Sequence, residues 1–251
     1  GALTTTFTAS QGLLLMIPVS LAQNDTWTQK ANIPTARWGL SSCELGGKIY
    51  GIGGAQTKNS SLNTMEIYDP ATDTWDNTKK NMPTARTELS VAAVNGKIYA
   101  IGGANSHSGS TLGIVEVYDP LTDTWDTANA MPSPRKGTAC GVINNKIYVA
   151  GGAVSGYTPS NILEVYDPET DNWAKKSNML AARYYPQGTV LNDAFYVSGG
   201  LIGAPWTGQK AVQKYDPTND KWELITSLEH GRVGHTTDVI NGKIYAVGGD
   251  T

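Results

Sequence analysis

Short runs of alternating hydrophobic and polar positions dominate this chain, and no long helical pattern is visible. Residues 114–118 (IVEVY) alternate in the way that is typical of a half-buried β-strand. Residues 89–94 (LSVAAV) form an apolar run, and the run 97–101 (KIYAI) follows after the pair Asn95-Gly96. Asn-Gly pairs tolerate the positive φ angles of a type I′ turn. The pattern therefore predicts short antiparallel strands that are joined by tight hairpins.

The same pattern recurs along almost the whole chain. Double glycines occur at Gly53-Gly54, Gly102-Gly103, Gly151-Gly152, Gly199-Gly200 and Gly248-Gly249, with spacings of 49, 49, 48 and 49 residues. Tryptophan recurs at Trp27, Trp75, Trp125, Trp173 and Trp222, and Tyr-Asp-Pro begins at Tyr68, Tyr118, Tyr166 and Tyr215. The pattern predicts four strands in each repeat, which we label a to d. Strand a follows the arginine, strand b precedes the double glycine, strand c precedes Asp-Pro, and strand d contains the tryptophan. Such a four-stranded blade covers both faces only by packing against neighbouring blades.

The double glycine, the Tyr-Asp-Pro, the tryptophan that follows it and a Met-Pro-x-x-Arg sequence together resemble the kelch repeat. The resemblance covers about residues 24–249. It implies an all-β fold, a kelch-type β-propeller of about five four-stranded blades. The chain departs from the pattern at Ala194, which replaces the repeat lysine, and at Lys214, which replaces the usual Glu before Tyr215. Both substitutions are of the kind expected at surface positions.

The two ends of the sequence predict how the ring closes. The fifth repeat has strands a and b within residues 233–249, whereas Trp27 indicates a strand d with no strand a or b before it. We therefore expect N- and C-terminal strands to share one blade, with residues 13–22 as its strand c. The expected organisation is an N-terminal extension, residues 1–12, followed by a single propeller domain, residues 13–251.

Residues 1–22 have an alternative interpretation as a signal-like segment. The run 13–19 (LLLMIPV) is followed by the small residues of a cleavage site, Ser20-Leu21-Ala22, although the usual basic start is missing. Two Asn-x-Ser/Thr sites, at Asn24 and Asn59, would accept glycans in a eukaryotic host. These features favour a secreted or extracellular protein, with a cytoplasmic location as the alternative.

Composition narrows the range of partners. The formal net charge of -3 gives no general attraction to nucleic acid or to anionic membranes. No apolar run is long enough to span a membrane. The two cysteines, Cys43 and Cys140, provide no disulfide framework, and we expect two free, half-buried thiols. A monomer is expected.

All arginines of the chain occupy one repeat position at the start of strand a. They are Arg37, Arg86, Arg135, Arg183 and Arg232. The d-to-a links and the b-to-c loops lie on one face, so the position predicts guanidiniums around the mouth of the central channel. One interpretation is a framework role in which each arginine bonds backbone carbonyls. The other is an anion-attracting site, because guanidinium binds carboxylates in a bidentate manner. The kelch resemblance adds that arginines at this position bind acidic peptides in some relatives.

Positions that break the repeat indicate where specificity lies. Aromatic residues outside the core pattern are Trp38, Tyr157, Tyr184, Tyr185 and Trp206, all expected near the arginine-bearing face. Aromatic anchors beside arginines are typical of interface hot spots and of carbohydrate sites. His235, three residues after Arg232, joins the ligand-binding candidates, with a hydrogen-bonding role in the fold as the alternative.

No catalytic, cofactor or metal signature stands out in the sequence. His107, His230 and His235 lie in different segments without metal-ligand spacing. The sequence therefore favours a non-enzymatic module that binds a protein, an acidic peptide or a glycan through the arginine-bearing face. The alternative, implied by the resemblance, is a carbohydrate-active enzyme such as a sialic-acid mutarotase, with Glu88 and Glu44 as acid–base candidates.

Overall fold

In the computed structural model, residues 27–204 and 206–251 are described, and every regular element among them is a β-strand. The chain divides into two units, residues 1–30 and residues 31–251, and the strands lie in the second. The structure thus confirms the all-β class that the alternation predicts.

The strands form four complete blades. The first contains β1 (Ser41–Leu45), β2 (Lys48–Ile52), β5 (Met65–Asp69) and β6 (Thr74–Asp76), with the hairpin β3 (Ala55–Thr57) and β4 (Ser60–Ser61) between β2 and β5. The second contains β7 (Ser90–Val94), β8 (Lys97–Ile101), β9 (Val115–Asp119) and β10 (Thr124–Ala128). The third contains β11 (Ala139–Ile143), β12 (Lys146–Ala150), β13 (Leu163–Asp167) and β14 (Asn172–Lys176). The fourth contains β15 (Gln187–Leu191), β16 (Ala194–Ser198), β17 (Val212–Asp216) and β18 (Lys221–Leu224).

The expected count of about five four-stranded blades is wrong for the described residues. The fifth unit has two strands only, β19 (Thr236–Ile240) and β20 (Lys243–Val247). Its expected strand c, residues 13–22, lies outside the described residues. Trp27, expected on its strand d, belongs to no strand and is 93% exposed. Within the described chain, the outer edge of β20 therefore pairs with no strand c.

The a-to-b turns adopt the predicted hairpin geometry. Both turn residues have positive φ at Gly46-Gly47, Asn95-Gly96, Asn144-Asn145, Asn192-Asp193 and Asn241-Gly242. The strands on either side pair in antiparallel register in every unit. Successive a strands contact one another from β1 through β7, β11 and β15 to β19. The five repeats are therefore arranged side by side in chain order.

The hydrophobic core lies between adjacent blades. Between the third and fourth blades, Tyr148, Phe195 and Tyr215 pack in one buried cluster. The corresponding tyrosines of the earlier blades, Tyr118 and Tyr166, are also buried in clusters that span neighbouring sheets. The repeat tyrosines Tyr118, Tyr166 and Tyr215 are therefore core residues between blades.

One carboxylate fixes each complete blade to the segment before it. In the third blade, Asp171 Oδ1 accepts hydrogen bonds from the Tyr166 hydroxyl at 2.6 Å and from the backbone N–H of Asn129 at 2.9 Å. Trp173 Nε1 donates to the carbonyl oxygen of the same Asn129 at 2.8 Å. We call this set of three side chains the blade latch. It recurs as Tyr68, Asp73 and Trp75 on Ala31, as Tyr118, Asp123 and Trp125 on Lys80, and as Tyr215, Asp220 and Trp222 on Ser177.

The two cysteines are free, as expected. Cys43 lies on β1 and Cys140 on β11, and both are partly buried. Burial raises the pKa of each thiol to about 12. Both thiols are therefore protonated at neutral pH and are weak nucleophiles.

The blade latch generates a stability prediction. We expect Asp171→Ala to lower the free energy of unfolding by about 2 kcal/mol, because the Tyr166 hydroxyl and the Asn129 N–H lose their acceptor. Urea denaturation measures the loss. Asp126→Ala, which removes an exposed carboxylate from β10, is the matched control and should change stability little. Equal losses in the two variants would contradict a latch role for Asp171.

Candidate functional site

The position two residues after each repeat arginine has left-handed backbone in all five repeats. Its φ angles are +62° at Gly39, +57° at Glu88, +58° at Gly137, +55° at Tyr185 and +65° at Gly234. Glycine adopts this conformation without steric cost, whereas a residue with a Cβ is strained there. Glu88 and Tyr185 therefore place side chains at a position where the other repeats have glycine. Such backbone outliers are concentrated at functional sites.

These positions are joined by backbone hydrogen bonds from one blade to the next. The N–H of Glu88 donates to the carbonyl of Gly39, and the N–H of Gly137 donates to that of Glu88, each at 2.8 Å. The N–H of Tyr185 donates to the carbonyl of Gly137 at 3.1 Å. The chain of bonds follows the inner strands of the first four blades. It brings side chains that are far apart in sequence to one place.

Glu88 is the centre of this place. Its Oε2 accepts a hydrogen bond from the Tyr184 hydroxyl at 2.7 Å and lies 3.4 Å from Lys136 Nζ. Its Oε1 lies 2.9 Å from His107 Nδ1. Lys136 also donates to the backbone carbonyl of His107. The side chains of Glu88 and Lys136 are both fully buried, so the ion pair is shielded from water.

Aromatic rings cover this ion pair. Tyr157 occupies the middle, with ring centroids 5.9 Å from Tyr184, 5.4 Å from His107 and 6.4 Å from Trp206. Lys136 Nζ lies 4.7 Å from the centroid of the Tyr157 ring, which is a cation–π distance. The resulting mouth cluster consists of Trp38, Glu88, His107, Lys136, Tyr157, Tyr184, Tyr185 and Trp206.

The outer rings of the mouth cluster face solvent. Trp38 is 37% exposed, Tyr157 36% and Trp206 54%. Trp38 packs edge-on against His107, with ring centroids 5.1 Å apart. The cluster is therefore amphipathic. It has a buried, hydrogen-bonded charged base and a partly exposed aromatic rim.

The two adjacent tyrosines at the base are held in the protonated form. Burial, followed by the neighbouring Tyr185 and then Glu88, raises the pKa of Tyr184 far above its ordinary value. Burial and then the charge of Glu88 raise the pKa of Tyr185. The ring centroids of the two tyrosines are 4.2 Å apart. Both phenols are therefore neutral hydrogen-bonding groups at physiological pH.

A polar depression lies beside the mouth cluster. It has a volume of about 320 Å³ and is lined by Ser108, Gly109, Ser110, Thr111, Val154, Ser155 and Gly156. These residues follow His107 and precede Tyr157 in the b-to-c loops of the second and third blades. No residue of the mouth cluster lines the depression. The charged and aromatic groups and the concavity thus lie on neighbouring parts of the same loops.

The comparisons with known proteins agree with the repeat pattern. The family model described as "Attractin/LZTR1 beta-propeller" matches residues 5–251. The chain belongs to this family. Two Arabidopsis thaliana F-box/kelch-repeat proteins are 35% identical over 51 residues and 38% identical over 63 residues. These matches cover 20% and 25% of this chain but only 14% and 16% of the relatives. The kelch resemblance of the sequence is thereby confirmed.

A solved structure shows the same fold. The structure titled "Structure of YjhT" superposes with a TM-score of 0.81 at 19% sequence identity. The superposition covers 92% of this chain and 82% of that chain. At this identity the likeness establishes the propeller fold alone.

In this kelch-type propeller, three repeat arginines form part of the framework. Arg86 is fully buried, pairs with Glu116 at 2.7 Å and donates to the carbonyl of Gly102 at 2.8 Å. Arg37 with Glu66 and Arg135 with Glu164 make the same buried pair. These contacts support the framework interpretation for the three arginines. A ligand-binding role for them stays a prediction, and their burial does not support it. Arg183 and Arg232 lack such a glutamate partner within the described residues.

Two further sequence candidates lie outside the mouth cluster. His235 is buried and its Nε2 lies 2.9 Å from the Ser198 hydroxyl. Burial, followed by the charge of Arg232, lowers the pKa of His235 to about 4. His235 is therefore neutral and hydrogen-bonded, which supports the alternative interpretation, a hydrogen-bonding role in the fold, over ligand binding. Glu44 accepts the N–H of Gly47 at 2.6 Å and thus stabilises the turn before β2.

Sequence reasoning selected the aromatic part of the site but left out Lys136 and His107. For Lys136, a signal is present in the sequence. Aligning the repeats on their arginines puts Glu88 and Tyr185 where the other repeats have glycine. Lys136 is one residue before that position in the third repeat. Among residues 27–204 and 206–251, no group of His, Cys, Asp and Glu is suited to a metal ion, and no helix is long and apolar enough to cross a membrane.

The buried ion pair generates the second prediction. We expect Glu88→Gln to lower the free energy of unfolding by about 3 kcal/mol, because Lys136 then keeps an uncompensated buried charge. Adding Lys136→Met should recover part of the loss, which a double-mutant cycle measures by urea denaturation. Glu223→Gln is the matched control, since Glu223 pairs with Lys214 on the surface at 3.0 Å. A cycle without coupling would show that the pair is not a unit.

Proposed function

We propose that this protein is a non-enzymatic binding module that recognises a protein or peptide partner through the mouth cluster. The observation that carries the proposal is the aromatic rim of Trp38, Tyr157 and Trp206 on a rigid, buried base. Aromatic residues with one exposed side supply a large contact area and lose little conformational entropy on binding. A kelch-type propeller is compatible with protein binding. A glycan remains the alternative ligand for an aromatic surface of this kind.

The contacts of Glu88 favour binding over catalysis. A general acid or base must be within hydrogen-bond reach of the group whose proton it transfers. Both carboxylate oxygens of Glu88 already have partners, namely the Tyr184 hydroxyl and His107 Nδ1. A carbohydrate-active enzyme such as a mutarotase therefore has less support. The base of the cluster is better suited to holding the aromatic rim in place.

Peptide and glycan arrays probed with the wild-type protein test this function. We expect binding to a defined set of peptides, with a loss of about 10-fold or more in affinity on Trp206→Ala, because exposed tryptophans are typical hot spots. Leu121→Ala is the matched control, since Leu121 is 93% exposed in a c-to-d turn away from the cluster. Binding to glycans alone would replace the peptide partner by a carbohydrate. Equal binding by the Trp206 and Leu121 variants would place the site elsewhere.

We also propose that residues 13–22 complete the fifth unit as a strand next to β20. Among the described residues, the outer edge of β20 pairs with no strand, whereas the b strands of the four other units each pair with a c strand, which supports this proposal. Tyr245 and Val247 on β20 are 45% and 44% exposed. Unpaired edges with apolar side chains are ordinarily covered. The alternative for the same segment is a signal-like role, which would accompany export of the protein.

Disulfide trapping distinguishes the two roles of residues 13–22. In the intact repeats, the register between strands b and c places position 19 opposite Tyr245. We expect Val19→Cys with Tyr245→Cys to form an intramolecular disulfide that shifts mobility on a non-reducing gel. Val19→Cys with Leu121→Cys is the control and should not cross-link. Secretion of a chain that begins after Ala22 would instead favour the signal-like role.

A further inference from the structure

A three-residue arrangement lies inside each of the first three blades. In the second blade, Glu116 Oε2 pairs with Arg86 Nη2 at 2.7 Å, and Oε1 accepts a hydrogen bond from the Thr84 hydroxyl at 2.7 Å. The guanidinium also donates to backbone carbonyls of the same blade. The first blade repeats the set with Arg37, Glu66 and Thr35, and the third with Arg135, Glu164 and Ser133. The buried positive charge is neutralised in all three.

The fourth blade has the arginine but not its two partners. Gln213 pairs with Val197 between strands b and c, as Glu164 pairs with Val149 in the third blade. Ala181 occupies the position that corresponds to the hydroxyl-bearing Thr84 and Ser133 of the second and third blades. Gln213 Oε1 accepts the N–H of Leu180 at 2.7 Å, and Nε2 donates to the carbonyl of Ala181 at 3.4 Å. The amide is thus engaged with the backbone, and no carboxylate among the described residues has taken over the role of the glutamate.

Arg183 is consequently a buried cation without an anion in the described part of the chain. It is 5% exposed, compared with 0% for Arg86 and Arg135. The one hydrogen bond of its guanidinium within the described residues joins Nη1 to the carbonyl of Ala182 at 3.2 Å, and its Nε has no partner there. Burial lowers the pKa of Arg183 with no carboxylate opposing the effect, whereas Glu116 opposes it at Arg86. A buried charge is stable only when a counter-charge or hydrogen bonds compensate for its lost hydration.

We propose that Arg183 forms an anion site in the fourth blade that binds the carboxylate of a ligand in place of the missing glutamate. The guanidinium suits this role because its planar array of donors matches a carboxylate in a bidentate manner. An anion would approach Arg183 through the 5% of its surface that stays exposed. The site does not depend on the mouth cluster. It is tested without a binding partner, so its failure would leave the proposed function untouched.

Acetate is the probe for this site. Thermal unfolding is followed at pH 7 in sodium acetate and in sodium chloride of equal ionic strength. We expect the wild-type Tm to rise with acetate by about 3 °C at ten times the Kd, because the anion binds the folded state alone. Ala181→Ser with Gln213→Glu restores the set found in the third blade and should abolish the acetate response. Gln213→Glu alone is the more conservative second variant.

Gln187→Glu is the matched control for added charge. Gln187 lies on β15 of the same blade, so this variant has the same net charge as Gln213→Glu. It should keep the acetate response of the wild type. An acetate response that is equal in wild type, Gln213→Glu and Gln187→Glu would overturn the proposal, since the anion would then act elsewhere. No response in the wild type would overturn it as well.

Nuclear magnetic resonance locates the anion directly. The Arg183 Nε–H signal, assigned by its loss in Arg183→Lys, should shift and saturate as acetate is added, while the Arg135 signal stays in place. Sodium phosphate is the second probe and distinguishes a tetrahedral from a planar anion. Shifts with phosphate but not with acetate would contradict a carboxylate site. A shift of neither signal with either anion would do the same.

Discussion

The structure depends on the contact between one blade and the next. A four-stranded sheet has two faces to bury and cannot bury both by itself. The blade latch solves this with one aspartate per repeat, which accepts from a tyrosine of its own blade and from the backbone of the segment before it. Because the latch, the interblade core and the turns all repeat, corresponding positions have corresponding environments. This equivalence makes each departure from the pattern informative.

Two such departures have opposite physical meanings. Glu88 and Tyr185 add side chains at left-handed positions where glycine would be free of strain. In the fourth blade, Gln213 and Ala181 stand where other blades have the glutamate and the hydroxyl-bearing residue beside the buried arginine. In the first case the fold retains backbone strain, and in the second a buried charge that has no counter-charge among the described residues. Departures of this kind are expected at functional or strained sites rather than at positions that serve the fold alone.

Much of the fold could be predicted from the sequence, because its determinants are local. Hairpin pairs such as Asn95-Gly96 and the alternation of 114–118 each specify a turn or a strand within a few residues. The orientation of the repeat arginines could not be predicted, since a guanidinium at the start of a strand can face the channel or the interior of the blade. The contact of Tyr184 with Glu88 joins residues 96 apart in sequence, and only the arrangement of the blades reveals it. The number of complete blades was overestimated because one unit depended on a distant segment.

In the mouth cluster, the charged groups and the exposed aromatic surface are separate. Glu88 and Lys136 are fully buried and bonded to each other, so neither presents a free charge to a ligand. A buried pair of this kind adds little to stability and can instead fix geometry. Here Lys136 lies over the rings of Tyr157 and Tyr184, and the Tyr157 ring in turn packs against the more exposed Trp206. Selectivity would then come from the shape and position of aromatic surface, with the ion pair beneath holding that surface rigid. A rigid aromatic surface binds with a smaller entropic cost than a flexible one.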